Sequence, residues 1–559
     1  MNCLERYDRH RISHRFPLRG LFARPERNRI WLPGLALLVA LLTACDGPPS
    51  DSSGIPAPAD SQQTGQKAAT PDRHHAGTGA DSGASEQPHD LVEFWAACFV
   101  GGSQVGYTHL TTQRVSIDGQ WHVHYRYQDE LRMKRFQDTT VVRSSLDCLE
   151  DAAGDLVRFR SQVATGPSGM ITRGSVDEGR LRMELQTAGR TEQQEIPWQS
   201  GWGGFFADHR SLQAQPMKPR ETRRLKALLP ILHQVGEIHL EAVGYEAVPL
   251  LEGTKRLLRI DMTTIVGPTQ LRSIVWCDDL GNVWKTRDLQ LDLQAFRCDR
   301  ETALRPVSGN GFDLADSSIV PVPQPLAAPH HTTRAVYLAR LPDGAIGQTF
   351  IQDGSQSLQI IDEQTARVTV EAIRPESPQR FPDDAWTEPT AADRQSTAMI
   401  QSDDARIVRM AAEVAPRETD PWRLACELER YVKRTVQLKN YSTAMATAAE
   451  VAESLEGDCT EHAMLLAALC RARQIPARVA IGLVYHPPAQ GFAYHMWTEV
   501  WIRDRWIGLD ATLGQGGIGA AHLKLAVSSM EGSSAFADML PIVQVIGRLE
   551  LEILSAERS

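Results

Sequence analysis

Three short blocks in the last quarter of this 559-residue chain carry residue types that can do chemistry together. They are Gly457-Asp458-Cys459-Thr460-Glu461-His462-Ala463, then Tyr494-His495-Met496-Trp497-Thr498-Glu499, then Trp506-Ile507-Gly508-Leu509-Asp510-Ala511-Thr512. A cysteine, a histidine and an aspartate follow one another in that order. Thiol acyl transfer asks for this set: a nucleophile, a base to activate it and a third group to orient the base.

The elements that must position these residues are legible around them. Asp458 and Glu461 stand at capping-box spacing, so a helix opens with Cys459 at its first position. The backbone N–H groups and positive end of that helix favour a thiolate, while the two flanking acids oppose it, so a histidinium partner is needed. The helix body from Ala463 to Leu469 is apolar all round, which places it centrally, and it stops before Ile475-Pro476. Asp420-Pro421 starts an earlier helix running to about Thr435, and Thr447 with Glu450 opens another to about Leu455. Val479 to Tyr485 reads as a buried strand. Tyr494 to Ile502 and Trp506 to Leu509 read as two more, joined by a turn at Arg503-Asp504-Arg505. A simple hairpin centred on Asp504 sets Asp510 opposite Thr498, about 10 Å of offset from His495 at about 3.3 Å per residue. Spacing alone permits a His495–Asp510 contact without establishing it.

Taken with Cys470-Arg471-Ala472 and Ile475-Pro476-Ala477-Arg478, these blocks resemble the transglutaminase-like superfamily in its bacterial form, over about residues 401–525. The resemblance implies a papain-like core, with a nucleophilic cysteine at a helix N-terminus packed on an antiparallel sheet that bears histidine and aspartate. It implies Cys459 as nucleophile, His495 as base and acid, and Asp510 as the orienting group. Tyr441 and the Cys459 backbone N–H are the candidate oxyanion donors, and Trp497 is a candidate wall of the substrate cleft. Some animal relatives need calcium; no acidic loop here has calcium-site spacing, so neither metal nor other cofactor is expected.

Other candidates are weaker. His462 lies almost one helical turn after Cys459 and reads as packing or polar support. His486 sits beside Pro487-Pro488 in a loop. Trp501 and Trp506 fall on strands and read as core. Cys470 lies about three turns beyond Cys459 and reads as buried and inert.

The remainder of the chain reads as delivery and support. Residues 1–29 are arginine-rich, and Ile30 to Ala44 forms an uncharged stretch too short for a comfortable membrane span but suited to a signal segment. It ends in Leu42-Thr43-Ala44-Cys45, which resembles a bacterial lipobox and implies lipidation at Cys45; an ordinary signal peptide or an uncleaved anchor is the alternative. The expected location is the cell envelope, membrane-anchored and facing periplasm or exterior. Residues 45–90 lack large aliphatic side chains apart from Ile55 and read as a tether. Residues 91–304 read as an antiparallel β-rich domain, in which the basic run Lys218–Lys226 is a solvated loop and residues 205–235 hold a loop and short helix. Residues 305–334 read as a linker containing His330-His331, 335–376 as a small β subdomain, and 401–559 as the transglutaminase-like domain.

The fold class expected is therefore α+β multidomain, with a β-rich antiparallel N-terminal region followed by a papain-like α+β C-terminal domain. Net charge is −10, which argues against nucleic acid as a partner. None of the nine cysteines forms a Cys-x-x-Cys pair, so a structural zinc site lacks support. Cys98, Cys148, Cys277 and Cys298 fall in one region, as disulfide partners or as buried thiols. The function expected is hydrolysis of a peptide or amide bond in a protein or peptide substrate, ahead of protein cross-linking. The alternative from another class is a non-catalytic envelope-surface binding module using the same cleft.

Overall fold

The computed structural model describes residues 87–135, 138–164, 169–267, 269–307, 319–342, 344–378, 386–437, 445–532 and 537–558. Cys45 and Tyr441 lie outside the described residues, as do the signal segment and most of the tether. Among the described residues no helix is long and apolar enough to cross a membrane.

The N-terminal half is one fourteen-stranded antiparallel sheet built as a meander. Its first run is β1 (Gln87–Val100), β2 (Ser103–Ile117), β3 (Gln120–Arg135), β4 (Asp138–Asp151), β5 (Leu156–Ala164), β6 (Met170–Asp177), β7 (Arg180–Thr187) and β8 (Arg190–Pro197). The chain then crosses through α1 (Ala207–Ala214) to the far edge of the sheet. It returns through β9 (Thr222–Leu228), β10 (Val235–Pro249), β11 (Thr254–Val266), β12 (Thr269–Cys277), β13 (Val283–Asp288) and β14 (Gln294–Cys298). β14 pairs with β1, Trp95 opposite Cys298, so the two runs join at mid-sheet. Period-two alternation sets the inner face: β7 alternates exposed or intermediate with buried, and Leu181, Met183 and Leu185 point inward. The segment before α1 fills the inside, where Phe206 stacks on Tyr125 at 4.6 Å.

One difference from the sequence reading arises here, and one alternative it left open is decided. Residues 222–228, expected in a solvated basic loop, form β9, because Leu225 and Ala227 turn to one face against the core while Arg224 and Lys226 alternate with them and stay exposed. Cys98, Cys148, Cys277 and Cys298 form no disulfide; burial pushes the Cys98 thiol up to about 12.

Beyond the shell come β15 (Val320–Pro321), β16 (Thr332–Arg340), β17 (Gln356–Ile360) and β18 (Thr365–Glu371). The helices α2 (Ala405–Glu413), α3 (Pro421–Thr435), α4 (Ala448–Ser454) and α5 (Cys459–Ala472) follow. The chain ends with β19 (Ala477–His486), β20 (Gly491–Trp501), β21 (Trp506–Leu509), β22 (His522–Ser528), α6 (Leu540–Val545) and β23 (Glu550–Arg558). One sheet runs β15-β20-β19-β22, with β21 also on β20; another runs β17-β18-β16-β23. The small sheet expected from 335–376 thus takes its outer strand from the end of the chain. Residues 320–321, read as linker, pair with Gly491 and Phe492 of β20.

Helix α5 is buried along its whole length and packs against β19, β20 and the other three helices. The Thr498 hydroxyl of β20 donates to the Ala463 carbonyl at 2.9 Å. At the helix's far end, the buried Arg471 donates to the carbonyls of Ala477, Gln395 and Ser529 at 2.9–3.0 Å. It thereby ties the helix to its own exit, to the segment before α2 and to the residue just after β22. The two halves of the molecule meet at the sheet edge: Glu192 of β8 accepts from the Ala398 and Gly532 backbone N–H groups, and Arg190 pairs with Asp403.

Replacing Arg471 by Met keeps the stem but leaves the buried Ala477 carbonyl and the part-buried hydrogen bonds to Gln395 and Ser529 without their donor. Urea denaturation is expected to show a loss of about 3 kcal/mol, against less than 1 kcal/mol for the exposed Arg409→Met.

Candidate active site

Cys459 occupies the first turn of α5 and is fully buried. The capping box forms in both directions: the Asp458 side chain accepts from Thr460 N at 2.9 Å, and Glu461 Oε2 accepts from Asp458 N at 2.9 Å. Glu461 Oε1 also accepts from Ala446 N at 3.0 Å. Both acids that flank the thiol are therefore engaged with backbone donors. Gly457 is required by this packing, since a Cβ there would lie 2.2 Å from the Glu461 Cβ. His462 Nδ1 donates to the Asp458 carbonyl at 2.6 Å, the supporting role read from its position.

His495 and Asp510 come together. His495 Nε2 lies 2.8 Å from Asp510 Oδ2, and both side chains are 2% exposed. Two features close the gap that simple register leaves. The turn has two residues, Arg503 and Asp504, both at positive φ, so Leu509 rather than Asp510 faces Thr498. That shortens the offset by one residue. Strand pairing then ends, and Asp510 N donates to Glu429 Oε1 at 3.1 Å while Gly516 N donates to Glu429 Oε2 at 2.7 Å. This buried glutamate on α3 bends the chain back toward the histidine. Along the other edge of β20, β15 pairs at Gly491–Phe492 and β21 at Thr498–Trp501, so His495 falls in the interval between them.

Asp510 carries more than the histidine. His522 Nε2 lies 3.1 Å from the same Oδ2, and the backbone N–H and hydroxyl of Thr512 both donate to Oδ1. Burial alone would raise this carboxyl. The His495 charge and the donors from His495 and His522 outweigh burial and hold it well below the usual carboxylate range. Burial in turn lowers His522, against the pull of Asp510, so that ring is a neutral donor. With the His495 Nε2 proton directed at Asp510, Nδ1 is the nitrogen that can take a proton. Trp497 is buried, stacks on the His495 ring at 6.4 Å and meets the His522 ring edge-on at 5.2 Å. It backs the two imidazoles, and the bare Gly482 of β19 accommodates its ring.

His522 is the residue that sequence reading missed. It lies in a strand, HLKLAVS, that carries no motif, and only the pairing of β22 with β19 brings it to Asp510. A second histidine, His330 from the stretch read as linker, sits 6.2 Å from His522, and burial lowers it to about 4. The ligand atoms of His495, Asp510 and His522 lie within 4.8 Å of one another. Two imidazoles and a carboxylate suit a zinc-like ion, but binding one would break the hydrogen bonds that orient His495. Cys470 is buried, and burial pushes its thiol far up, in keeping with an inert role.

A cysteine at a capped helix start, packed on an antiparallel sheet bearing a histidine–aspartate pair, defines a papain-like α+β domain. Residues 408–511 match the transglutaminase-like superfamily. The chain is also similar to a solved candidate cysteine protease from Cytophaga hutchinsonii, with 16% identity, 39% of this chain and 82% of that one covered, and a TM-score of 0.27. A beta-barrel-like protein of a domain of unknown function from Brucella abortus matches at 9% identity, covering 37% of this chain and 95% of that one, TM-score 0.28. A candidate protease from Parabacteroides distasonis matches at 10% identity over 61% of this chain and 64% of that one, TM-score 0.16. Likenesses of this size carry no argument about activity. No curated protein matches the chain significantly.

Two outcomes follow from this geometry. Removing one charge-assisted donor from Asp510 by His522→Ala is expected to slow alkylation of Cys459 about tenfold and to shift its pH profile, while His522→Gln, which keeps an N–H donor, retains most of the rate. Glu429 is pushed up to about 7 by burial. A carboxyl raised in the fold favours folding while protonated; that contribution is full below its unfolded value and is lost as pH rises through about 7. Urea denaturation between pH 5 and 8 should show wild type losing stability more steeply than Glu429→Gln.

Proposed function

We propose that the chain is an exported, lipid-anchored thiol hydrolase that cleaves a peptide or amide bond. The observation that carries the catalytic part is the buried 2.8 Å His495–Asp510 pair, placed within the segment that matches the transglutaminase-like superfamily and alongside the capped helix of Cys459. Asp510 fixes the His495 tautomer, and His495 Nδ1 takes the Cys459 proton. The thiolate attacks the substrate carbonyl, forming the S–C bond. The C–N bond then breaks, and the imidazolium returns its proton to the departing amine. Water attacks the thioester, gives its proton to His495, and releases the acid and the thiol. A second amine in place of water would give cross-linking. The burial of all three side chains keeps bulk water from the thiol and strengthens the electrostatics of the site.

Export and anchoring rest on the hydrophobic segment 30–44 and Cys45, and the substrates that fit such a location are envelope proteins or peptides. Oxyanion stabilisation falls to the Cys459 backbone N–H, in the first turn of its helix, and to Tyr441.

The test is labelling of the folded chain by a small neutral alkylating agent at pH 7. Cys459 is expected to react ahead of the other cysteines, and its rate to fall at least a hundredfold in His495→Ala. Equal, slow labelling of Cys459 in both proteins would replace this reading with a non-catalytic binding module.

A further inference from the structure

The proposed reaction uses nothing inside the N-terminal shell, yet the shell holds a cavity of about 90 Å³. It lies between the inner face of β9–β13 and α1. Leu228, Leu229 and Ile238 form one wall, and Phe205 and Leu212 close it from the side of α1. Val543, from α6 of the C-terminal half, completes it. Folded cores pack to crystal-like density, so a space of this size set into the shell is room for a ligand. An engineered apolar cavity of roughly 150 Å³ binds benzene, so this one has room for a short aliphatic segment.

The polar lining comes from two sides, from Asp208 and His209 of α1 and from the strands. Thr286 and Asp288 of β13 and Ser273 of β12 are the strand residues, cross-strand neighbours on one face: Val275 stands opposite Thr286 and Ser273 opposite Asp288. Thr286 is 1% exposed, and its hydroxyl meets no hydrogen-bond partner among the described residues. A buried hydroxyl left in this way is costly, and a carbonyl placed in the cavity would accept from it. Asp288, whose carboxyl accepts from Gln290 N and Leu291 N, is pushed up to about 7 by burial, and above that pH it repels an anion. Arg272 stands at the exposed rim, where solvent and salt screen its charge.

We propose that this cavity binds an unbranched aliphatic chain bearing a neutral hydrogen-bonding head, an ester or amide carbonyl that accepts from Thr286. The aliphatic part lies against the leucine and isoleucine wall. Because Val543 belongs to α6, an occupant would contact both halves of the molecule. The proposal does not rest on the acyl-transfer reading.

The experiment uses the full chain carrying Cys45→Ser, so that no lipid is attached there, in detergent-free buffer at pH 8. Methyl octanoate and sodium octanoate are titrated by ligand-observed NMR, with the melting temperature as a second readout. Saturable binding of the ester, at least tenfold tighter than the carboxylate, is expected. The near-isosteric Thr286→Val should weaken the ester several-fold with the melting temperature of the unliganded protein unchanged within a few degrees. Val275→Phe, which fills the space, should abolish binding; if it fails to fold, Thr286→Val decides. The proposal is overturned if the ester does not saturate, if octanoate binds as tightly, or if Thr286→Val binds the ester like the parent.

Discussion

A single buried carboxylate sets the terms for the C-terminal half. Asp510 is 1% exposed and ionised, a state that burial opposes by itself. It persists because two imidazoles and both donors of Thr512 converge on it, while Glu429, itself an acid, accepts from its backbone N–H and fixes its position. These donors come from β20, β22 and the loop after β21. The acceptor Glu429 comes from α3. Withdrawing any of them leaves a buried charge less well met, so the site's geometry and the packing of these elements are one problem. This is also why Glu429, itself a poorly solvated acid beside Asp510, sits nearer neutrality than a surface glutamate.

The same sheet carries a second buried ionic group on the side toward the small sheet. Lys524 of β22 contacts both Asp353 and Glu499, and Glu499 also pairs with Arg478 at 2.8 Å. Gln356 of β17 exchanges two hydrogen bonds with the Lys524 backbone, and the Tyr337 hydroxyl of β16 donates to Ala520. The small sheet therefore anchors β22 and the loop before it, and β22 presents His522. Residues far apart in sequence share the work of holding one carboxylate. The family-matched segment spans residues 408–511, and both His330 and His522 lie outside it.

Much of the site was legible because its signals are local. A capping box needs only four consecutive residues, and those at Thr447–Glu450 and Asp458–Glu461 both form. Asp420-Pro421 likewise opens α3 where expected, and Trp506 to Leu509 is β21. Strand β9 was not legible: a basic run carries no mark of which face will be buried, and only the inner face of the shell made Leu225 and Ala227 strand residues. Helix α2 and strand β23 were missed for related reasons, the first lying in a stretch to which no element was assigned and the second needing β16 as a partner.

By itself, the sequence determined the residue types of a candidate thiol acyl-transfer site, their order, and the helix and strands that bear Cys459 and His495. These follow from caps, breakers and periodicities that act over a few residues. It left the His495–Asp510 contact undecided, since register along a hairpin depends on the turn's φ angles and on what meets the chain where pairing stops. Only the tertiary structure, through the two-residue turn at Arg503-Asp504 and the hold of Glu429, decided that contact. It alone added His522, because pairing between β22 and β19 is a long-range hydrogen-bond pattern that no local motif encodes.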